Sequence, residues 1–175
     1  MDLRRVHERC VREVRRLDLR PPLDIGALCA RLGEQRGRPI HPLPMTARPT
    51  DPSGIWIASQ TADYVFYEQN TSRLHSEHII LHEIGHLLFG HTGGGVLSDS
   101  TARLLLPNLD PALVRRTLAR SHYSDSDEQE AELFASLILS ETGFAVVPLS
   151  VPEPPEEMSE LVRRVWAVLG SPGRS

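Results

Sequence analysis

The sequence predicts an α+β fold, a mostly helical single domain with a small β-sheet. Three observations carry this. Apolar residues recur at helical spacing in several separate stretches, above all "RLHSEHIILHEIGHLLF" and "EQEAELFASLILSE". "GIWIAS" and "DYVFYEQ" are β-branched and aromatic and are separated by "QTA", the pattern of a hairpin near residues 54–68. The chain has 175 residues, enough for one domain with a sizeable core and too short for two comfortable ones.

Each element has its own local signal. "LRRVHERCVREVRRLDL" places Leu3, Val6, Cys10, Val14 and Leu17 on one helical stripe. Asp24 can cap a second helix that stops at Gly33. "RPIHPLPM" has proline at alternate places and is at best an edge strand. After the hairpin, "NTS" supplies capping residues for a helix from about Arg73 to Phe89, ended by Gly90. A glycine-rich stretch follows, then Asp110-Pro111 opens a helix to about Ala119. "EQEAELFASLILSE" is helical, "VVPLSVPEPPE" is a connector, and "EEMSELVRRVWAVL" is a last amphipathic helix.

Composition excludes some functions. The net charge of -4 argues against a whole-domain nucleic-acid surface. Seven arginines crowd the first twenty residues, but all 19 basic residues are arginine, which reads first as a compositional habit. Cys10 and Cys29 make neither a metal pattern nor a disulfide framework. No apolar run is long enough to span a bilayer, and the charged N-terminus is no signal peptide, so the expected location is the cytoplasm.

His82-Glu83-Ile84-Gly85-His86 is an HExxH pattern. At about 100° per residue, His82 and His86 present their imidazoles one turn apart on one helix face, where two nitrogens can share one zinc ion. Glu83 lies beside the pair, placed to reach a water at the metal. Ile80, Leu81, Ile84, Leu87 and Leu88 cluster on the far side. The helix therefore has a core side and a histidine side. His75 and His78 project on the histidine side, as exposed first-turn residues or as an extension of a polar cleft. His91, after Gly90, reads as a helix C-terminal cap.

A zinc hydrolase uses three protein ligands and keeps a fourth position open. In "DEQEAELFASLILSE" the stripe of Leu133, Phe134, Leu137 and Ile138 has Glu130 at its centre. Glu128 and Glu132 fall on the other side, where a solvated charge belongs. Asp127 is nearer the edge, at the helix entry, and Glu141 is at the helix end. A carboxylate on a core-facing stripe needs a partner. Two are open: a zinc ion, or a salt bridge to an arginine such as Arg103 or Arg120.

"HSEHIILHEIGHLLFGH" followed some forty residues on by "EQEAELFASLIL" resembles the ImmA/IrrE family of metallopeptidases, which is gluzincin-like. The resemblance covers roughly residues 54–139, and "LDIGALCARLG" fits the family's lead-in helix. It implies one zinc per chain on His82, His86 and Glu130, with Glu83 as general base. It implies a metallopeptidase domain over residues 1–145; residues 146–175, the Pro-rich connector and terminal helix, fall outside the resemblance. Two places depart from the pattern. "SETGF" replaces the usual "LP" or "MP" after the second helix, and His78 stands where an aromatic is common.

For catalysis, an oxyanion donor is expected from Tyr123 or His122, whose loop leads into the Glu130 helix, ahead of Tyr64 or Tyr67 on the hairpin. "GIWIAS" can offer an edge to an extended substrate or simply pack on the core. The resemblance suggests an endopeptidase of narrow specificity whose protein substrate is a helix-turn-helix transcriptional repressor, relieved under stress. No direct contact with nucleic acid or membrane is expected. The alternatives are a non-proteolytic regulatory protein with a structural zinc, and one member of a toxin-antitoxin-like pair.

Overall fold

The computed structural model describes residues 3–47, 52–58, 62–91 and 123–143. Four helices and one three-stranded sheet lie among them. They are α1 (Leu3–Leu17), α2 (Ile25–Arg36), β1 (Ile40–Met45), β2 (Gly54–Ala58), β3 (Asp63–Glu68), α3 (Arg73–Phe89) and α4 (Asp125–Thr142). The α+β expectation holds. The expected helix after Asp110, the Gly93–Gly95 run, His122 and everything from residue 146 onward lie outside the described residues.

The caps follow from short polar side chains. Asp24 accepts from the Ala27 N–H at 2.9 Å, and Gly37 closes α2 at φ 65°. The helix thus runs past Gly33, the stop expected from the sequence. Gly33 is buried and faces backbone, since a Cβ there would lie 3.1 Å from the Arg38 carbonyl oxygen. Ser72 caps α3, and Gly90 ends it in a left-handed conformation. Ser124 and Asp127 form a capping box at the start of α4.

The sheet order is β1-β3-β2. β2 and β3 pair antiparallel, with Gly54 opposite Tyr67 and Ala58 opposite Asp63, which is the expected hairpin. β1 pairs parallel with β3, so the proline-bearing strand does lie at an edge, where missing N–H donors cost least. The sheet packs on α3, and α4 packs on α3 from another side while touching α1. Ile80, Leu81, Ile84, Phe134 and Ile138 are fully buried where these layers meet. That packing holds the histidine face of α3 against the N-terminal half of α4. No helix among the described residues is long and apolar enough to cross a membrane.

Candidate metal centre

α3 carries its apolar residues inward and still buries His86 completely and Glu83 nearly so. Both are expensive to bury without partners, so the neighbours define the site. His82 Nε2 lies 2.9 Å from His86 Nε2. Glu128 of α4 brings Oε2 to 3.2 Å from His82 Nε2 and Oε1 to 3.8 Å from His86 Nε2. A tetrahedral ion with ligand bonds of about 2.0–2.1 Å spaces its donors about 3.3 Å apart, close to the separation of the two imidazole nitrogens, and the two Glu128 oxygens each face a different ring. His82, His86 and Glu128 can therefore hold a metal ion.

The protonation of this group suits a cation. Burial, then the neighbouring His82 and His91, push the His86 imidazole down to about 3. Burial also lowers His82, against the opposing charges of Glu128 and Glu132. Both shifts favour the neutral imidazole, the form that can ligate a cation. Glu132 sits behind the group, its carboxylate 3.6 Å from His82 Nδ1 and 3.3 Å from His78 Nε2. His78 thus extends the polar side of α3, while His75 is exposed and stacks on it with ring centroids 6.5 Å apart.

Glu83 lies beside the pair. Burial, then the Glu128 charge, push its carboxyl up to about 8, while a hydrogen bond from the Trp56 backbone N–H works the other way. Gly54 at the start of β2 leaves room for it, because a Cβ there would come within 2.7 Å of Glu83 Oε1. The hairpin therefore has a positioning role as well as a packing one. Its edge strand sets the carboxylate.

Tyr123 enters from the turn before α4 and stacks on His86 at 3.4 Å between centroids, with 9° between planes. Its hydroxyl is buried without a hydrogen-bond partner among the described residues. Burial, then the charges of Glu83, Glu128 and Asp127, raise the phenol well above its usual range, so it remains a donor. Tyr64 and Tyr67 are buried in β3.

No protein-family model, curated protein or solved structure matches the chain. The residues alone carry what can be said of the site.

Glu130 is placed differently from the expectation. It is buried, as its stripe position requires, but its carboxylate does not join His82 and His86. Oε2 lies 2.9 Å from Arg9 Nη1 and 3.0 Å from His91 Nε2. Of the two partners open to it, an arginine fills the role among the described residues, and it is Arg9; Arg103 and Arg120 lie outside the described residues. The physical reason is rotation about α4: Glu130 shares the buried face with Ala131 and Phe134, which points to α1 and the end of α3. Glu128, 48% exposed, looks solvated from sequence, yet it stands at the rim of the histidine face. Its signal was a spacing match, since Glu128 and Glu132 are one turn apart opposite His78, His82 and His86. His91 is likewise no side-chain cap. Its ring turns inward, with Nδ1 2.9 Å from His86 Nδ1.

Proposed function

We propose that this chain is a zinc-dependent endopeptidase of narrow specificity, of the ImmA/IrrE kind that its motifs resemble. The observation that carries the reading is the buried Glu83 carboxyl beside a three-donor group of His82, His86 and Glu128. A site that only stiffened the fold has no use for a base at that point. When bound, zinc supplies Lewis acidity at the substrate carbonyl and lowers the pKa of a neighbouring water.

The chain's own residues do the rest. Glu83, buried beside His82, His86 and Glu128, takes the proton of the attacking water and returns it to the leaving nitrogen. The Tyr123 hydroxyl, held by stacking on His86, donates to the oxyanion as it develops. The outer edge of β2, unpaired among the described residues, lies beside Glu83 and offers backbone groups to an extended peptide. We place the protein in the cytoplasm and take its substrate to be a partner helix-turn-helix transcriptional repressor.

The test is zinc content and peptide cleavage in wild type, Glu128→Ala and Glu83→Gln. The reading expects one zinc per wild-type chain, weakened uptake in Glu128→Ala, and zinc kept but cleavage lost by about 10²–10⁴-fold in Glu83→Gln. Wild type that takes up no zinc after supplementation refutes it.

A further inference from the structure

We propose that Glu130, clamped by Arg9, acts through His91 as a positioning residue for His86. The inference rests on the reading of His82, His86 and Glu128 as the metal centre. It assigns work to three side chains outside that centre.

The geometry is a continuous line from α1 to the site. Arg9 Nη1 donates to Glu130 Oε2 at 2.9 Å, and Arg9 Nη2 donates to the Phe89 carbonyl at 3.1 Å. The guanidinium also lies over the Phe89 ring, 4.7 Å from its centroid. Arg9 thus ties the last turn of α3 to α4. Glu130 Oε2 then meets His91 Nε2 at 3.0 Å, and His91 Nδ1 meets His86 Nδ1 at 2.9 Å. Asp127 Oδ1 approaches the same His91 nitrogen at 3.5 Å.

Proton accounting gives the line one direction. A carboxylate paired with arginine accepts only, so His91 carries its proton on Nε2. With its single proton on Nε2, His91 has a bare Nδ1, which accepts. His86 must donate from Nδ1, and this leaves its Nε2 with the free lone pair. That nitrogen is the one facing His82 and Glu128. The relay therefore presets both the tautomer and the ring angle of one ligand before any cation arrives. Carboxylate and imidazole partners behind a ligating histidine act this way, and losing one typically costs about 10–100-fold in metal affinity.

The experiment compares wild type, Glu130→Gln, His91→Gln and Arg9→Gln by two readouts. The first is zinc affinity by chelator competition, with the absorption spectrum of the cobalt-loaded protein. The second is the imidazole ¹⁵N spectrum of the metal-free protein, which reports the tautomer of His86. The proposal expects about a 10–100-fold loss of affinity in Glu130→Gln and His91→Gln. It also expects a smaller loss in Arg9→Gln, one metal still bound at saturation, and an unchanged cobalt coordination number. His86 should be protonated at Nδ1 in wild type and mixed in the variants. Affinities equal to wild type, or the same tautomer mixture in every protein, overturn the relay. Loss of one cobalt ligand in Glu130→Gln also overturns it, since Glu130 would then bind the ion itself. Failure of the metal reading looks different: wild type takes up no zinc, whatever its tautomers. Arg9→Gln, altered at a half-exposed side chain on the surface of α1, keeps the test open if a buried variant does not fold.

Discussion

Gly85 of α3 lies directly against Ala131 of α4: a Cβ at residue 85 would stand 3.1 Å from the Ala131 Cα and 3.3 Å from Phe134. Backbone, unlike the tip of a long side chain, cannot swing aside. This approach lets Glu128, one turn before Ala131, reach His82 and His86. Gly85→Val should push the helices apart, lower stability by about 2–3 kcal/mol and weaken zinc binding together. Urea unfolding and a zinc titration check it. Stability lost with zinc affinity intact would separate the packing from the site.

A second glycine stands against Glu83. At Gly54 a Cβ would meet Ile79 Cγ2 at 2.6 Å and Glu83 Oε1 at 2.7 Å. Gly54→Ala should therefore displace the Glu83 carboxylate while leaving His82, His86 and Glu128 in place. On the proposed peptidase reading, cleavage should fall by about tenfold or more with zinc content unchanged, because misplacing a catalytic group by about 1 Å can cost about 10²-fold. Unchanged cleavage would show that the edge of β2 does not position Glu83.

How much of this is legible without coordinates differs by element. The histidine helix is readable because spacing, caps and a two-sided pattern agree from Ser72 to Gly90. The hairpin is readable because β-branched and aromatic residues on both sides of a short polar stretch agree with its antiparallel pairing. Glu130 shows the limit. Periodicity correctly puts it on the buried face of α4, but a stripe says nothing of which neighbour covers it. The neighbour is Arg9, 121 residues away in the chain. Glu128 shows the converse: half-exposure is the signature of a solvated charge and equally of a ligand at the mouth of a cleft. The parallel pairing of β1 with β3 also has no local signal, since register between distant strands is set by packing.

The buried Asp63 has a structural task. It accepts from Trp56 Nε1 at 3.1 Å and pairs with Arg38 at 3.2 Å and Arg36 at 3.5 Å, tying the end of α2 and the start of β1 to the hairpin. Asp63→Ala should lower stability by about 1–3 kcal/mol, mainly by stranding the indole N–H. A shift of the urea midpoint measures it, and an unchanged midpoint would remove Asp63 from the account of the fold.

Alkaline pH should expose the two thiols. Burial, first, pushes Cys10 and Cys29 each up to about 12, with the charges of Glu130 and Asp24 respectively adding to it. An unfolded thiol titrates near its ordinary value, about 8.5. Between these values the folded chain keeps protons that the unfolded chain has lost. The stabilisation is whole below the unfolded value and is lost as pH rises toward 12. The unfolding midpoint should thus fall steadily above about pH 9. Thiol-specific reagents should label neither cysteine at pH 7.5 until the chain is denatured. Rapid labelling of folded protein would contradict the burial of both.

Arg9 and Glu130 stand at opposite ends of the described chain, and their pairing imposes an order of events. During synthesis α1 is made first and must wait for α4. Closing so long a loop costs entropy that only the finished interface offsets. Until α4 has emerged, His82 and His86 have neither Glu128 in front nor a fixed ring behind. A nascent chain therefore carries the motif without the assembled donor group, and whatever chemistry that group performs begins only after the helix bearing Glu128 has been made.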